Sequence, residues 1–194
     1  DGVAAKALAW FAPIPNAFLN FGWSPPRHIT TEEVGTFPDD VNALWDRLAV
    51  GFRLAAVRRS GILDWRFFGD SGRKYKVYVA KRDGCTVGYV ALREMPMQGI
   101  PTLAIVDILF DPNDPDTGDA LLARVHAEAQ RRRVDATTIV LNPASPFLQP
   151  LQRWWFIRSP EAFTIITHEP RGSARVTDRP DADWHLTWFD HDYV

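Results

Sequence analysis

The run from Thr102 to Phe110 constrains the fold more than any other part of this chain. It is almost uniformly apolar, and Asp107 is its only charged residue. A strand of this composition is typical of a sheet that is covered on both faces. The sequence therefore predicts a layered domain with this strand near its centre.

A hairpin is predicted just before the central strand. Residues alternate as in strands over 75–82 and 85–93, and only Asp83 and Gly84 separate the two runs. The Asp-Gly pair favours a type I′ turn, because both central residues of that turn have positive φ. The turn places Arg82 opposite Cys85 and Val79 opposite Gly88.

This register predicts which side chains of the hairpin share a face. Residues directly opposite each other in an antiparallel pair point to the same side of the sheet. The better candidate for the core face consists of Tyr75, Val77, Val79, Val90 and Leu92.

Apolar spacing and breakers predict the remaining elements. The predicted helices are residues 41–52, with Asp39 or Asp40 as cap, residues 60–68, residues 117–133 and a short helix before Phe156. The predicted additional strands are residues 137–141, 163–167 and 184–189, and residues 23–38 are predicted to be a loop.

Composition excludes several classes of function. The formal net charge of -2 does not favour a general binder of nucleic acid or of membrane surfaces, since both reward a large positive excess. The single cysteine, Cys85, allows no internal disulfide and no paired-cysteine metal motif, which favours a cytoplasmic protein.

The first segment, from Val3 to Trp23, is apolar but is interrupted by lysine, proline and asparagine. A membrane span needs about 20 largely apolar residues in a row, so no span is predicted. We expect an N-terminal extension or docking segment over residues 1–38 and one domain over residues 39–194.

Several short motifs occur in an informative order. Leu63-Asp64-Trp65-Arg66 precedes the hairpin that begins with Tyr75, and Val87-Gly88-Tyr89-Val90 lies in its second strand. Ile105 to Leu109 forms the central strand, and Asn142 closes the next one. In this order the chain resembles the GNAT acyltransferase superfamily over roughly Val41 to Asp192. The resemblance implies an α/β (α+β) fold in which a mixed, mostly antiparallel central sheet is flanked by helices.

The resemblance also implies an activity, the transfer of an acyl group from acetyl-CoA or another acyl-CoA to a small-molecule or peptide amine. In this family the pantetheine arm of the donor pairs with the strand before the main helix, here at Leu109 and Phe110. The diphosphate lies on amides at the helix start, where the helix dipole favours anions. The implied donor-binding residues are Leu109, Phe110, Gly118, Asp119, Ala120, Leu121 and Asn142.

The helix start departs from the family pattern. The usual loop is Arg/Gln-x-x-Gly-x-Gly/Ala, whereas this chain has Pro115, Gly118 and Ala120 in the matching positions. The same loop also carries four aspartates, Asp111, Asp114, Asp116 and Asp119. They either repel a diphosphate or simply start turns and cap the helix. The tyrosine that often protonates the departing thiolate is missing from the segment around Phe147.

Candidates for the catalytic base are Asp107, His168 and Glu169. Burial in the apolar strand would raise the pKa of Asp107 toward a useful value. The alternative is a structural carboxylate bonded to the backbone or to an arginine such as Arg66.

The acids and histidines near the C-terminus do not predict a metal site, because neighbouring strand residues point to opposite faces. Solvated strand ends are expected for Asp181, Asp183, His185, Asp190, His191 and Asp192. The period-two line of Trp184, Leu186 and Trp188 predicts a core face.

Two other functions remain open. A GNAT-like enzyme can take its acyl group from an acyl carrier protein, which would explain a poor diphosphate loop and would use exposed arginines such as Arg131 and Arg132 for docking. A GNAT-fold domain without catalysis can serve as a ligand-binding or docking module, beside an N-terminal domain missing from this chain.

Overall fold

The computed structural model describes residues 26–70, 72–97, 99–142, 145–158 and 184–190. In chain order the elements are β1 (Thr30–Val34), α1 (Val41–Ala49), β2 (Leu54–Ala55), α2 (Ser60–Phe68), β3 (Lys76–Arg82), β4 (Cys85–Met97), β5 (Ile100–Phe110), α3 (Pro115–Arg132), β6 (Ala136–Ile139), α4 (Leu148–Arg153), β7 (Trp184–His185) and a 3-10 helix (Trp188–Asp190).

The main sheet has five strands in the order β1-β3-β4-β5-β6. Neighbouring strands are antiparallel except for the last pair, β5 and β6, which is parallel. A second sheet consists of the short parallel pair β2 and β7. The predicted architecture, a mixed and mostly antiparallel sheet flanked by helices, is confirmed.

The two faces of the sheet carry different helices. On one face the Tyr78 hydroxyl donates a hydrogen bond of 2.6 Å to Glu128 of α3. On the other face the ring of Tyr89 meets Phe37, which also contacts Phe67 of α2. Since strand residues alternate between faces, the central strand is buried from both sides, as its composition predicts.

The Asp-Gly hairpin is confirmed, with φ of 51° at Asp83 and 80° at Gly84. Its register differs from the predicted one beyond the turn, because a β-bulge lies between Ala80 and Lys81. Arg82 still faces Cys85, but Val79 faces Tyr89 instead of Gly88.

The bulge changes which hairpin residues share a face. Val77 and Val79 lie with Ala91 and Tyr89, whereas Val90 pairs with Tyr78 on the opposite face. The predicted grouping of Val77 and Val79 with Val90 and Leu92 is therefore wrong.

The N-terminal side of the domain also differs from expectation. Residues 30–34, predicted to be part of a loop, form β1 at the edge of the sheet, antiparallel to β3. Helix α1 ends at Ala49 and not at Phe52. Asp40 is its N-cap residue but makes no side-chain cap bond. Its carboxylate instead accepts hydrogen bonds from the amide and hydroxyl of Thr86.

The C-terminal side is only partly as predicted. The expected strand over residues 184–189 is a strand of two residues followed by the 3-10 helix. The strand expected over residues 163–167 lies outside the described residues.

Two features of the described residues bear on other classes of function. None of the helices there has the length and apolarity needed to cross a membrane. In the same part of the chain, no group of three or more histidine, cysteine, aspartate or glutamate side chains is placed to hold a metal ion.

Candidate functional site

Strands β5 and β6 diverge. Their ladder runs only from the pair Thr102–Ala136 to the pair Ile105–Ile139. Beyond it β5 continues to Phe110, and its backbone there pairs with β4 but has no backbone partner on the β6 side among the described residues. The result is a gap between two parallel strands with unpaired amides and carbonyls along one edge, a template for an added strand or extended ligand.

The residues implied for the pantetheine arm lie at this gap. Leu109 and Phe110 belong to the unpaired part of β5, and their side chains are buried. Asn142 follows the strand that turns away and is also buried. The structure therefore brings these three predicted residues to the two sides of one gap.

Phe147, directly before α4, occupies the gap. Its ring contacts the Phe110 ring at 5.1 Å and the His185 ring at 4.8 Å. Phe110 lies on the face of the sheet covered by α3, whereas His185 belongs with β7. Phe147 therefore joins the two faces and would have to move for a ligand to use the free edge of β5.

Two amides at the start of α3 are already engaged. The Asp114 carboxylate accepts hydrogen bonds from the Thr117 amide (3.3 Å) and hydroxyl (2.7 Å). The Gly118 amide donates to the Asp114 carbonyl at 3.3 Å, and Pro115 has no amide hydrogen. The Thr117 and Gly118 amides therefore have partners within the protein, which disfavours a diphosphate at these two groups.

The four aspartates of the loop each have a partner. Asp111 accepts from the Asn113 amide, Asp116 lies 3.1 Å from His28, and Asp114 pairs with Arg82 at 2.8 Å. Turn formation and capping, the simpler of the two interpretations, is confirmed for Asp111 and Asp114.

Asp119 connects the first turns of α3 to the end of α4. Its Oδ1 accepts a hydrogen bond of 3.0 Å from Arg153 and another of 3.0 Å from the indole of Trp154. Because α3 follows β5 and α4 follows β6, this contact lies across the elements that flank the gap.

Gly118 is needed for packing against Phe110. A Cβ at position 118 would lie 2.7 Å from the Phe110 ring, so no side chain fits there without movement. Ala120 and Leu121 are buried in the same helix. Gly118, Ala120 and Leu121 therefore pack within the domain, and any part that they take in donor binding would use their backbone.

Asp107 lies in a buried ion-pair network. Its two oxygens accept hydrogen bonds from Arg58 (2.9 and 3.3 Å), the Tyr89 hydroxyl (2.5 Å) and the Thr187 hydroxyl (2.8 Å). Arg58 also pairs with Asp190 at 3.0 Å. The arginine partner is Arg58, not the expected Arg66.

The expected rise in the pKa of Asp107 is wrong. Burial alone would raise this pKa, but the charge of Arg58 and the hydrogen bonds from Arg58 and Tyr89 lower it overall. The carboxyl is fully buried and stays ionised, which fits the structural alternative. Burial raises the pKa of the neighbouring Asp190.

His185 was expected at a solvated strand end, but its side chain is fully buried. Nε2 lies 3.8 Å from Asp107 Oδ1, and the ring stacks on Phe52 at 4.9 Å. Burial and then Arg58 lower the pKa of His185 to about 3. The sequence shows only that Trp184 to Phe189 is apolar on alternate residues, which gives no sign that the other face is buried too.

The remaining predicted residues are two candidates for the catalytic base and two arginines predicted to dock a carrier protein. His168 and Glu169 lie outside the described residues. Arg131 and Arg132 both pair with Glu128, and Arg132 also pairs with Glu94. Burial alone would raise the pKa of Glu128, but hydrogen bonds from Arg131, Tyr78 and Arg132 lower it to about 2.

Comparison with known proteins adds information on the fold only. No protein-family model matches the sequence, and no curated protein matches it significantly. Among solved structures, an aminoglycoside acetyltransferase from an uncultured soil metagenomic sample is 12% identical, with a TM-score of 0.50, over 74% of this chain and 97% of that chain.

Two further solved structures match to a similar extent. The ribosomal-protein-alanine N-acetyltransferase of Brucella melitensis biovar Abortus 2308 is 14% identical over 73% of this chain and 99% of that chain, with a TM-score of 0.52. An acetyltransferase of Trypanosoma brucei is 16% identical over 72% and 99%, with a TM-score of 0.51. Together with the strand order and the gap between the parallel strands, these matches show that the chain has the fold of the GNAT acetyltransferases.

Proposed function

We propose that this chain is an N-acyltransferase that takes an acyl group from a pantetheine thioester and transfers it to an amine. The observation that carries the proposal is the unpaired edge of β5 between Val106 and Phe110. The pantetheine arm contains two amide groups, and such groups can pair with a free strand edge as an added strand would.

Acetyl-CoA or a longer acyl-CoA is the first candidate donor. Its pantetheine half fits the strand edge, provided that Phe147 moves out of the gap. Its diphosphate half fits poorly, because Asp114 engages the first amides of α3 and the loop is acidic. The donor thioester supplies the acyl group, and the protein contributes mainly by holding the amine against it, which can provide about 7–11 kcal/mol of the barrier.

A carrier-protein donor is the second candidate, and the acidic loop favours it. A carrier presents phosphopantetheine without the nucleotide, so no diphosphate has to approach Asp114 and Asp119. The arginines at the C-terminal end of α3, the far end of this helix from Asp114 and Asp119, are unequal candidates for docking an acidic carrier. Arg131 and Arg133 are exposed, whereas Arg132 is held by two glutamates.

A comparison of donors tests these proposals. Thiol release would be measured with acetyl-CoA, acetyl-pantetheine and an acetylated acyl carrier protein. The acceptors would be an aminoglycoside, a peptide with N-terminal alanine and a simple primary amine. We expect acetyl-pantetheine and acetyl-CoA to give kcat/KM values within about tenfold, a difference of about 1.4 kcal/mol, because the nucleotide half has little to bind.

Three outcomes distinguish the donors. A preference for the carrier that disappears in the Arg131→Glu plus Arg133→Glu variant would support carrier docking. A preference for the carrier that survives this variant would contradict docking at these residues. A strong preference for acetyl-CoA over acetyl-pantetheine would show that the diphosphate is bound after all.

The alternative function is a binding or docking module without catalysis. The engaged amides of α3 and the presence of Phe147 in the gap favour it. Calorimetry with CoA, acetyl-CoA and acetyl-pantetheine distinguishes the two classes. Absence of heat with all three, together with no thiol release from any donor, would overturn the enzymatic proposal.

A further inference from the structure

His185 is a buried polar side chain for which the described part of the chain supplies no well-formed hydrogen bond. Its ring has no exposed surface, and neither ring nitrogen makes a hydrogen bond of good geometry among the described residues, although the ring lies close enough to the Ile108 backbone for a weak one. Buried polar groups in native proteins are nearly always bonded, so an exception needs an explanation. A ligand that supplies the missing partner is one such explanation.

The position of the His185 ring indicates which ligand could supply a hydrogen-bond partner. His185 lies beside the backbone of Ile108, and its Nε2 is 3.8 Å from Asp107 Oδ1. Ile108 belongs to the part of β5 that has no partner on the β6 side. The ring of Phe147, which occupies the gap, is 4.8 Å from the His185 ring. A ligand that displaces Phe147 would therefore meet His185.

We propose that His185 is a catalytic residue that donates a hydrogen bond to the thioester carbonyl oxygen of the acyl donor, an inference that rests on the proposed function. The amine nitrogen attacks the carbonyl carbon and forms the C–N bond while the carbonyl electron pair moves to oxygen. The His185 N–H then stabilises that oxyanion. When the oxyanion collapses, the C–S bond breaks, and the thiolate takes up the proton that the amine nitrogen loses.

The protonation state of the ring suits this role. Burial and the charge of Arg58 keep His185 neutral, so that one ring nitrogen carries a proton and the ring has no net charge. A neutral imidazole can polarise a carbonyl by donating its one N–H to the carbonyl oxygen. Tyrosine is missing from the α4 segment, and His185 reaches the same gap from β7.

Two substitutions test the inference. His185→Phe keeps an aromatic ring between Phe52 and Phe147 but removes the donor, whereas His185→Gln keeps an N–H. With acetyl-CoA and the best amine of the acceptor panel, we expect kcat to fall about a hundredfold or more in His185→Phe. The KM for acetyl-CoA should change little, and His185→Gln should recover part of kcat.

Two readouts are independent of turnover. The unliganded His185→Phe protein should be at least as resistant to heat as the wild type, because the substitution removes an unsatisfied polar group from an aromatic site. In the wild type, acetonyl-CoA, a carbonyl analogue that cannot transfer its group, should shift the nitrogen NMR signal of the protonated His185 ring nitrogen.

Failure of this inference can be told apart from failure of the proposed function. If the wild type transfers acetyl groups and His185→Phe has the same kcat, or acetonyl-CoA binds without shifting the ring signal, the role of His185 is wrong and the enzyme remains. If the wild type neither binds nor consumes any of the donors, both are wrong.

Discussion

Arg58 Nε donates a hydrogen bond to Asp107 Oδ2 across 2.9 Å, and neither side chain has any exposed surface. Removal of one partner from such a pair leaves an uncompensated charge in the interior, which costs about 3–5 kcal/mol. We therefore expect Arg58→Met to lower the free energy of unfolding by that amount, measured by urea denaturation.

A double variant at the same pair and a variant of a surface ion pair serve as controls for the Arg58→Met prediction. Arg58→Met combined with Asp107→Asn leaves no buried charge at position 107 and should recover part of the loss. Glu32→Gln removes the partner of Lys81 in an exposed ion pair and should leave the urea midpoint unchanged. A loss in Arg58→Met no larger than that in Glu32→Gln would contradict a structural role for the pair.

Local chemistry explains which parts of the fold could be predicted. The Asp83-Gly84 turn and the apolar run of β5 each specify their structure within a few residues. Strand β1 was missed because its residues are mostly exposed at a sheet edge and show no alternation. The bulge was missed because its extra residue, Val87 of β4, lies inside a run that alternates as a regular strand would, although Gly88 follows it directly.

The candidate site was harder to predict because its contacts join distant parts of the chain. Arg58 and Asp107 are 49 positions apart, and Thr187 is 80 positions from Asp107. Through the family resemblance the sequence predicts Leu109, Phe110 and Asn142 as donor-binding residues, and this role stays a prediction. It gave no sign that His185 would be buried beside them, since that depends on how the C-terminal segment packs.

Gly118 should not tolerate even a methyl group. A Cβ there would lie 2.7 and 2.9 Å from atoms of the Phe110 ring, which is itself buried. Overpacking of a well-filled core costs about 1–3 kcal/mol, so Gly118→Ala should lower the free energy of unfolding by that amount despite the better helix propensity of alanine.

Gly61 provides the control for this substitution. It lies in α2, and nothing lies within 4 Å of a Cβ placed there. Gly61→Ala should be neutral or stabilise by up to about 1 kcal/mol. Equal effects of the two substitutions on thermal unfolding would show that the contact between Gly118 and Phe110 does not limit stability.

The free energy of unfolding should decrease as the pH is lowered, and His185 should account for part of this decrease. The ordinary pKa of histidine is 6.5, which applies to the unfolded chain, whereas burial and Arg58 lower the folded-state pKa to about 3. The unfolded chain therefore binds the proton first as pH decreases. Stability is fully present above pH 6.5 and falls by about 1.4 kcal/mol per pH unit below it, until the folded state also binds the proton.

Comparison of variants isolates this contribution. Urea denaturation between pH 6.5 and 4.5 should show a shallower loss in His185→Phe than in the wild type. Substitution of His126 should remove less of the slope, since its side chain is less buried and its pKa is lowered by burial alone. Identical slopes in the wild type and His185→Phe would mean that His185 can be protonated in the folded protein near its ordinary pKa.

Asp119 should weaken donor binding if an acyl-CoA uses the gap between β5 and β6. Its carboxylate holds Arg153 and Trp154 of the segment at the end of α4, and it adds negative charge near the start of α3. Asp119→Asn keeps an acceptor for the Trp154 indole but removes the charge. A like-charge contact costs about 1 kcal/mol in water and about 4 at a protein surface.

We therefore expect Asp119→Asn to bind CoA at least about fivefold more tightly than the wild type, measured by calorimetry at low salt. Added salt should reduce the difference, because screening weakens the repulsion in the wild type. Glu94→Gln is the control, since Glu94 faces Leu103 near the other end of β5 and should not affect CoA binding. If Asp119→Asn and Glu94→Gln bind CoA with the same affinity as the wild type, the nucleotide half does not approach the start of α3. A donor that lacks the nucleotide, such as a carrier-bound pantetheine, would then account better for the acidic loop.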